Sequence, residues 1–291
     1  MKTIEVKNLK KYYSKTKAVD DISFNVKKGE IIGFLGPNGA GKTTTIRCMM
    51  DFIKPDSGSI EIFGFDSKED SERIKKDIGY LSGELNLYTE WTGREHIKFL
   101  KGLRKNSKFD NKLIEKLNFN PNVKVKSLST GNKQKLALII AIIHNPKLLI
   151  LDEPTTGLDP LLQDIIYDVL KKKAREGVSI FMSSHNLSEV ERVCDKVLIL
   201  KQGKIVDKES ISKLKEKRLY TVYVYFDKKV SEKEMRTRDK DIEIRKNFGD
   251  GFMLSVRGDI KPLLKKLEQF KIKDIEIKHS NLEDIFLKFY K

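Results

Sequence analysis

Eight consecutive residues have the types and the spacing that are needed to hold a polyphosphate. They match the P-loop pattern and run Gly36-Pro37-Asn38-Gly39-Ala40-Gly41-Lys42-Thr43. Glycines let the backbone wrap so that several N–H groups face phosphate oxygens, and a helix that begins after the loop adds the positive end of its dipole. We expect Lys42 to contact the β- and γ-phosphates of ATP and the Thr43 hydroxyl to bind Mg²⁺, with a further phosphate contact from Thr44.

Two carboxylates follow an apolar segment that could complete the same site. Leu148–Asp152 reads as a buried strand, and Glu153 comes directly after it. A buried carboxylate without a partner is costly, whereas Mg²⁺ and phosphates would give both charges a role. We expect Asp152 to lie on the metal side and Glu153 to act as the general base that positions water. The alternative, that both only cap the next helix, is disfavoured by the P-loop.

Short apolar strands alternate with helices over the first part of the chain. This alternation predicts an α/β fold of the P-loop NTPase type, with a mostly parallel core sheet, an antiparallel β subdomain and a helical lobe inserted at about 80–145. The predicted strands are 4–6, 22–26, 30–35, 59–63, 148–152 and 178–183, with a hairpin over 197–206. The predicted helices are 42–51, 92–101, 110–117, 129–144 and 161–174.

The composition changes near residue 210, where a lysine-rich segment leads into a strand rich in Tyr and Val. We therefore expect a small separate C-terminal α/β domain over residues 212–291. Its predicted strands are 220–226, 242–244, 252–256 and 275–277, and its predicted helices are 260–270 and 282–289.

A third segment narrows the class of P-loop protein. Leu128-Ser129-Thr130-Gly131-Asn132-Lys133-Gln134-Lys135 opens a predicted helix and resembles the signature of the ATP-binding subunits of ABC transporters. In that family the signature closes over the γ-phosphate held by a second subunit. The resemblance covers about residues 2–210, and it implies that Ser129 and Gly131 bind ATP and that the chain dimerises with a copy of itself or a paralogue.

Other matches occur in the order that the family has. Pro154-Thr155-Thr156-Gly157-Leu158-Asp159-Pro160 resembles the loop that crosses the dimer interface through Asp159, and His185 is similar to the switch histidine that contacts the γ-phosphate. Tyr13 stands where the family has an aromatic ring that stacks on adenine. Its neighbour Tyr12 is the alternative, and either tyrosine could instead be purely structural.

The chain departs from the family pattern at two positions. Gly83 falls where the family has a glutamine that contacts Mg²⁺ and the attacking water, and Glu84 follows it. A carboxylate adds charge and cannot donate a hydrogen bond when ionised, so Glu84 is not equivalent to that amide. In the signature, Thr130 replaces a glycine.

The resemblance implies a function for both parts of the chain. Residues 1–211 would form an ABC-type ATP-binding domain that hydrolyses ATP and drives a separate polytopic membrane permease. Residues 212–291 would be an accessory domain, because the segment 281–287 resembles the closing helix of exporter-type subunits. We expect an exporter subunit that is cytoplasmic and peripheral at the inner face of the cell membrane.

Composition limits the other function classes. The 291 residues are 39% hydrophobic, and no stretch approaches the ~20 apolar residues of a spanning helix. The N-terminus has no signal core, so we expect no secretion, and the two cysteines suit a reducing compartment.

A net charge of +16 leaves open a soluble ABC ATPase that acts on nucleic acid or ribosomes. A single ATPase unit without a long heptad run argues against that alternative, so we do not expect a nucleic-acid partner.

A binding-only regulator that does not turn over is a further alternative. Glu153 and His185 argue against it, and the glycine at position 83 argues for it.

Overall fold

The computed structural model describes residues 2–103, 112–216, 219–237 and 239–279. The chain folds as two compact units, Met1–Lys208 and Glu209–Lys291. The division predicted from the sequence falls between residues 211 and 212, close to this boundary, and the assignment of the two parts as functional domains stays a prediction.

A six-stranded sheet forms the centre of the first unit. Its order is β10-β9-β3-β8-β7-β6, and β3, β6, β7, β8 and β9 run parallel to their neighbours. The strands are β3 (Ile31–Leu35), β6 (Ile78–Leu81), β7 (Leu148–Asp152), β8 (Ser179–Ser184), β9 (Lys196–Lys201) and β10 (Lys204–Ser210). Every residue of β3, β7 and β8 is buried, which explains why β3 and β7 read as nearly continuous apolar runs; β8 has an apolar centre between buried serines. Their carboxyl ends meet at one edge of the sheet.

A second sheet is mainly antiparallel and covers one side of this core. Its order is β2-β1-β4-β5, from β1 (Lys2–Tyr13), β2 (Thr16–Lys27), β4 (Ser57–Ile62) and β5 (Phe65–Asp66). The predictions 4–6 and 22–26 cover only part of β1 and β2. The remainder includes the buried Leu9 and Val19, but lysines and other polar residues surround them, so backbone pairing extends both strands without a sustained apolar pattern. Three phenylalanine rings join the sheets, with centroids 5.2–5.8 Å apart: Phe24, Phe34 and Phe181.

Helices of the first unit connect the strands and form the inserted lobe. They are α1 (Lys42–Met49), α2 (Ser71–Lys75), α3 (Gly93–Leu103), α4 (Lys112–Lys116), α5 (Thr130–Ile142), α6 (Pro160–Arg175) and α7 (Leu187–Val193). Between β6 and β7 the described chain is helical, as the sequence predicts for about 80–145. The helix predicted over 110–117 begins outside the described residues, and α2 was missed because it is only one turn long. No helix in the described part of the chain has the length and apolarity to cross a bilayer.

The second unit has a βαββαβ order. After α8 (Ile211–Glu216), it contains β11 (Leu219–Phe226), α9 (Glu232–Met235), β12 (Ile242–Asn247), β13 (Gly251–Arg257), α10 (Lys261–Leu267) and β14 (Ile272–His279). The sheet order β12-β13-β11-β14 is antiparallel throughout, which is the split βαβ arrangement. Alternate residues of β11 and β13, among them Val222, Val224 and Leu254, pack into one core. The helix predicted over 282–289 lies outside the described residues.

Close packing of α5 on β6 yields a stability prediction. A Cβ atom added at Gly79 would lie 2.0 Å from the carbonyl oxygen of Ala141, a backbone atom that cannot move aside. We expect Gly79→Ala to lower the free energy of unfolding by about 3 kcal/mol, or Tm by roughly 6 to 12 °C, as measured by calorimetry. Gly102→Ala is the matched control because a Cβ there meets nothing within 4 Å. An equal Tm for the two variants would contradict this packing.

Candidate nucleotide-binding and hydrolytic site

The loop between β3 and α1 has a backbone that only glycine permits at one position. Gly41 has φ 106°, and a Cβ atom there would lie 2.1 Å from the carbonyl oxygen of Ala18. Gly39 has φ 79°, and a Cβ there would meet nothing within 4 Å, so this side of the loop is open. Pro37 and Asn38 are exposed, whereas the buried Ala40 accepts a hydrogen bond from Gly203 N at 3.0 Å. The open side leaves room for phosphates beside the start of α1.

Lys42 lies between the loop and Glu153. Its side chain is 6% exposed, and Nζ donates to the carbonyl oxygens of Gly36 at 2.7 Å and Pro37 at 3.2 Å. Nζ also lies 3.2 Å from Glu153 Oε1. A mobile cation at this point can contact a phosphate held by the loop. Thr44, on the first turn of α1, is half-buried.

Asp152 lies at the carboxyl end of β7, where its side chain connects α1 and β8. It is 1% exposed. Its Oδ2 accepts a hydrogen bond from Thr43 Oγ1 at 2.8 Å, and its Oδ1 accepts one from Ser183 Oγ at 2.5 Å. Two hydroxyl donors compensate for the removal of this group from water. Thr43 and Asp152, predicted from separate motifs, therefore lie side by side.

Glu153 and His185 meet in front of this pair. Glu153 has φ 52°, a left-handed conformation that costs a residue with a Cβ roughly 1 kcal/mol or more. This turn at the end of β7 is held by the Glu153 N–H, which donates to Ser183 Oγ at 3.0 Å. The turn places Oε2 2.8 Å from His185 Nδ1. Among the described residues, Glu153 Oε1 has no hydrogen-bond partner and only the nearby charge of Lys42.

The signature lies elsewhere in the same chain. Ser129 caps α5 by accepting a hydrogen bond from Asn132 N at 3.3 Å, and its side chain is exposed. A Cβ added at Gly131 would lie 3.6 Å from Leu158, so the signature packs on the loop before α6. In the described part of the chain, no hydrogen bond joins residues 129–131 to residues 36–44. Asp159 caps α6 through Leu162 N at 2.9 Å.

Sequence reasoning missed one residue that joins the signature helix to the hydrolytic strand. Gln134 is buried on α5, and its Nε2 donates to the carbonyl oxygens of Pro154 at 2.9 Å and Glu153 at 3.4 Å. In the sequence it stands among polar residues in the first half of α5, so the pattern does not mark it as buried. Its partners lie in another motif, so its role becomes visible only in three dimensions.

The two tyrosines before the P-loop have different surroundings. The Tyr12 hydroxyl donates to Asp20 at 2.6 Å, and this hydrogen bond is the main cause that raises the pKa of Tyr12 to about 12. Tyr13 is 47% exposed, and its ring has Lys11 Nζ 5.4 Å from its centroid. The Tyr13 ring is thus exposed enough to stack on a base, whereas the Tyr12 side chain is held by its hydrogen bond to Asp20.

Gly83 passes directly beside the acidic group. A Cβ atom at this position would lie 3.3 Å from Asp152 Oδ2, so a longer side chain here would point toward the Thr43–Asp152 pair. Glu84 is 82% exposed and lies 3.6 Å from Arg47. Glu84 therefore faces Arg47 at the surface and does not replace the missing glutamine in this conformation.

The donor set at Thr43 and Asp152 fits a hard cation. A hydroxyl and a carboxylate, with their oxygens 2.8 Å apart, are ligands that Mg²⁺ prefers when phosphates and water complete its shell. No cluster of three or more His, Cys, Asp or Glu side chains suited to a metal occurs in residues 2–103, 112–216, 219–237 or 239–279. A cation at this point would therefore depend on the nucleotide as well as on the protein.

The parallel sheet, the glycine loop before α1 and the acidic end of β7 together define a P-loop ATPase. The family model described as "ABC transporter" matches residues 19–156. The uncharacterized ABC transporter ATP-binding protein YhcH of Bacillus subtilis (strain 168) is 35% identical over 99% of this chain and 96% of its own length. The bacitracin transport ATP-binding protein BcrA of Bacillus licheniformis is 40% identical over 74% of this chain and 72% of its own.

A solved structure described as the ATP-binding subunit of an ABC transporter superposes with a TM-score of 0.68. It is 29% identical and covers 73% of this chain and 92% of its own. The chain belongs to the ATP-binding proteins of ABC transporters, and it binds and hydrolyses ATP to power a transporter. The predicted family and fold class are confirmed, whereas the roles of single site residues stay predictions.

The contrast between the two tyrosines can be tested by nucleotide binding. We expect Tyr13→Ala to weaken ATP affinity by roughly 5- to 100-fold, because base stacking on an aromatic ring contributes about 1–3 kcal/mol. Tyr13→Trp should preserve the affinity, as measured by isothermal titration calorimetry. Tyr12→Phe, which removes only the hydroxyl, should change ATP affinity by less than about twofold. Loss of affinity in Tyr12→Phe with retention in Tyr13→Ala would reverse the assignment.

Proposed function

We propose that two ATP-binding subunits close face to face and hold each ATP between the P-loop of one and Ser129–Gly131 of the other. The observation that carries this proposal is the separation of the two half-sites within one chain. The P-loop lies with Asp152, Glu153 and His185, whereas the exposed N-terminus of α5 packs on the loop before Asp159. A helix N-terminus with a serine cap attracts anions, and a second chain would supply the phosphate.

Each P-loop residue has a defined part in this proposal. The N–H groups of 36–41 and Lys42 hold the β- and γ-phosphates, and Thr44 adds a contact at the first turn of α1. Thr43 and Asp152 would hold Mg²⁺, which supplies charge neutralisation at the phosphates. The ring of Tyr13 stacks on adenine.

In this proposal, Glu153 and His185 carry out hydrolysis. Glu153 Oε1 lies near the charge of Lys42 and accepts no hydrogen bond from the residues that the structure describes. In this proposal it accepts a hydrogen bond from the attacking water and then its proton. His185 holds Oε2 through Nδ1 and lies where it can also meet the γ-phosphate. The products ADP and phosphate no longer link the two subunits, so turnover favours the open state.

The inserted lobe is proposed to contact a polytopic membrane permease. Between α1, β6 and α5 lies a groove of about 420 Å³, with Phe52 and Tyr80 on its wall. Further large side chains are exposed on or near α3, with Tyr88 at 60%, Phe99 at 50% and Leu103 at 67%. Clustered exposed apolar side chains of this kind mark interaction surfaces. A subunit bound to a permease in this way would act at the inner, cytoplasmic face of the cell membrane.

Export is the proposed direction of transport. BcrA, a relative named for bacitracin transport, supports it, and so does the family resemblance of the C-terminal part. Residues 212–291 are proposed to be the accessory domain of such a subunit. Either a second copy of this chain or a paralogue could supply the signature that binds ATP from the opposite side in the proposed dimer.

The hydrolytic assignment is tested by Glu153→Gln. The amide keeps the shape of the side chain but cannot accept the proton of water, so we expect kcat to fall by at least about 100-fold. ATP should then hold the chain as a closed dimer, measured by size-exclusion chromatography with light scattering. A monomer in ATP together with full turnover would show that the scheme is wrong.

Two variants complete this experiment. Glu72→Gln, which neutralises an exposed carboxylate (91% exposed) on α2, is the control and should leave kcat unchanged. Lys42→Ala should weaken ATP affinity by at least about tenfold, because a charged hydrogen bond contributes roughly 1.5–3 kcal/mol. Undiminished ATP binding by Lys42→Ala would refute the phosphate cradle.

The permease surface is tested by co-purification. Affinity-tagged chain purified in detergent from its native cells should bring down a polytopic membrane protein, and Phe99→Glu should reduce its recovery because a charge disrupts an apolar contact. Basal ATP hydrolysis by the isolated Phe99→Glu subunit should not change. Recovery of RNA or ribosomes that is lost steeply with salt would instead favour the nucleic-acid alternative.

A further inference from the structure

A buried carboxylate that none of the motifs accounts for lies behind the hydrolytic pair. Glu189, in the first turn of α7, is 4% exposed. It accepts a hydrogen bond from Thr155 Oγ1 at 2.5 Å on one oxygen and from Ser184 Oγ at 2.5 Å on the other. Burial raises the pKa of Glu189, the two hydroxyls oppose this shift, and the nearby Glu153 adds to it. Burial of a carboxylate is costly unless hydrogen bonds compensate for its removal from water, and these two hydroxyls supply them.

The two hydroxyls belong to the two segments that carry the hydrolytic groups. Thr155 follows Glu153 by two residues on the way to Asp159, and Ser184 directly precedes His185. Both donors are themselves buried, Thr155 at 5% exposure and Ser184 at 0%. One carboxylate therefore fastens two chain segments whose ends meet 2.8 Å apart, at Glu153 Oε2 and His185 Nδ1.

The position of Ser184 extends this connection to the phosphate cradle. Its carbonyl oxygen accepts a hydrogen bond from Gly36 N at 3.1 Å, so the same residue contacts the first glycine of the P-loop. Tyr167 of α6 borders the group from another side. Burial, and secondly the charge of Glu189, raise the pKa of Tyr167 to about 12.

We propose that Glu189 is a positioning residue for ATP hydrolysis, which sets the distance between Glu153 and His185 by holding Thr155 and Ser184. Glu189 touches neither nucleotide nor water in this role. The inference rests on the proposed function, since it assumes that Glu153 and His185 act together. A misplacement of reacting groups by about 1 Å can lower a rate by as much as 100-fold, so small movements of these segments matter.

Conservative substitutions test the proposal. Glu189→Gln keeps the shape but can accept only one of the two hydroxyl hydrogen bonds at full strength. Ser184→Ala and Thr155→Val each remove one donor. We expect Glu189→Gln to lower kcat by roughly tenfold with less than a twofold change in ATP affinity, measured by steady-state hydrolysis and by calorimetric titration. Because the three side chains form one unit, Ser184→Ala combined with Glu189→Gln should cost much less than the product of the single effects.

A matched control exists on the same strand. Ser179, at the opposite end of β8, is also 0% exposed and hydrogen-bonds Thr3 through its hydroxyl at 2.8 Å. Ser179→Ala should lower Tm about as much as Ser184→Ala and leave kcat unchanged. All assays are run well below the lowest Tm of the set, so that global unfolding cannot explain a loss of rate.

The outcomes separate this inference from the proposed function. A lower kcat with preserved affinity in Glu189→Gln and Ser184→Ala, but not in Ser179→Ala, supports the positioning role. An unchanged kcat in Glu189→Gln, while Glu153→Gln is inactive, overturns the role of Glu189 and leaves the proposed function intact. Full turnover of Glu153→Gln would refute the proposed function itself.

Discussion

A single buried charge sets the geometry of the nucleotide site. Asp152 is removed from water at the end of β7, and it remains there because Thr43 on α1 and Ser183 on β8 each donate a hydrogen bond to it. Separating either element from β7 would remove one of the two donors of this buried carboxylate, which costs about 1–3 kcal/mol. Two hydrogen bonds to Asp152 therefore join the P-loop helix, the strand that ends at Asp152 and the strand before His185 at one edge of the sheet.

The proposed division of the site between two chains agrees with this arrangement. The edge of the sheet carries Lys42, Asp152 and Glu153, while α5 presents its N-terminus on a different part of the surface. Gln134 ties α5 to the backbone at Glu153 and Pro154, so the half-site that a partner would use is mechanically connected to the half-site that the chain uses itself. In the proposed dimer, a movement of α5 on closure around one ATP would be transmitted through this contact to the residues around the other ATP. The energy for such coupling would come from contacts that exist only in the closed state.

How much the sequence predicts depends on whether an interaction is local. The residues of the P-loop are consecutive in sequence, and so are those of the Asp152–Glu153 strand end. The chemistry of each motif could therefore be predicted from its own residues. The parallel strands are predicted well because they are buried on both faces, whereas the long β1 and β2 were underestimated since lysines and other polar residues interrupt their apolar pattern. Gln134 and Glu189 were not found, because each contacts a segment that is distant in sequence, at Pro154 and at Thr155 respectively. Tyr13 was chosen over Tyr12 from its position in the sequence, and the choice stays a prediction; the fold supports it because Tyr12 contacts Asp20 and the Tyr13 ring is exposed.

The left-handed backbone at Glu153 has a consequence for protein engineering. Glycine and asparagine adopt this conformation more readily than glutamate, so a selection for thermal resistance alone would favour them at this position. Either residue would abolish the carboxylate that the proposed chemistry needs. A screen for thermal stability alone would thus enrich folded but inactive variants of this subunit unless ATP turnover is selected at the same time. Stability and the proposed catalysis make opposite demands on this one residue.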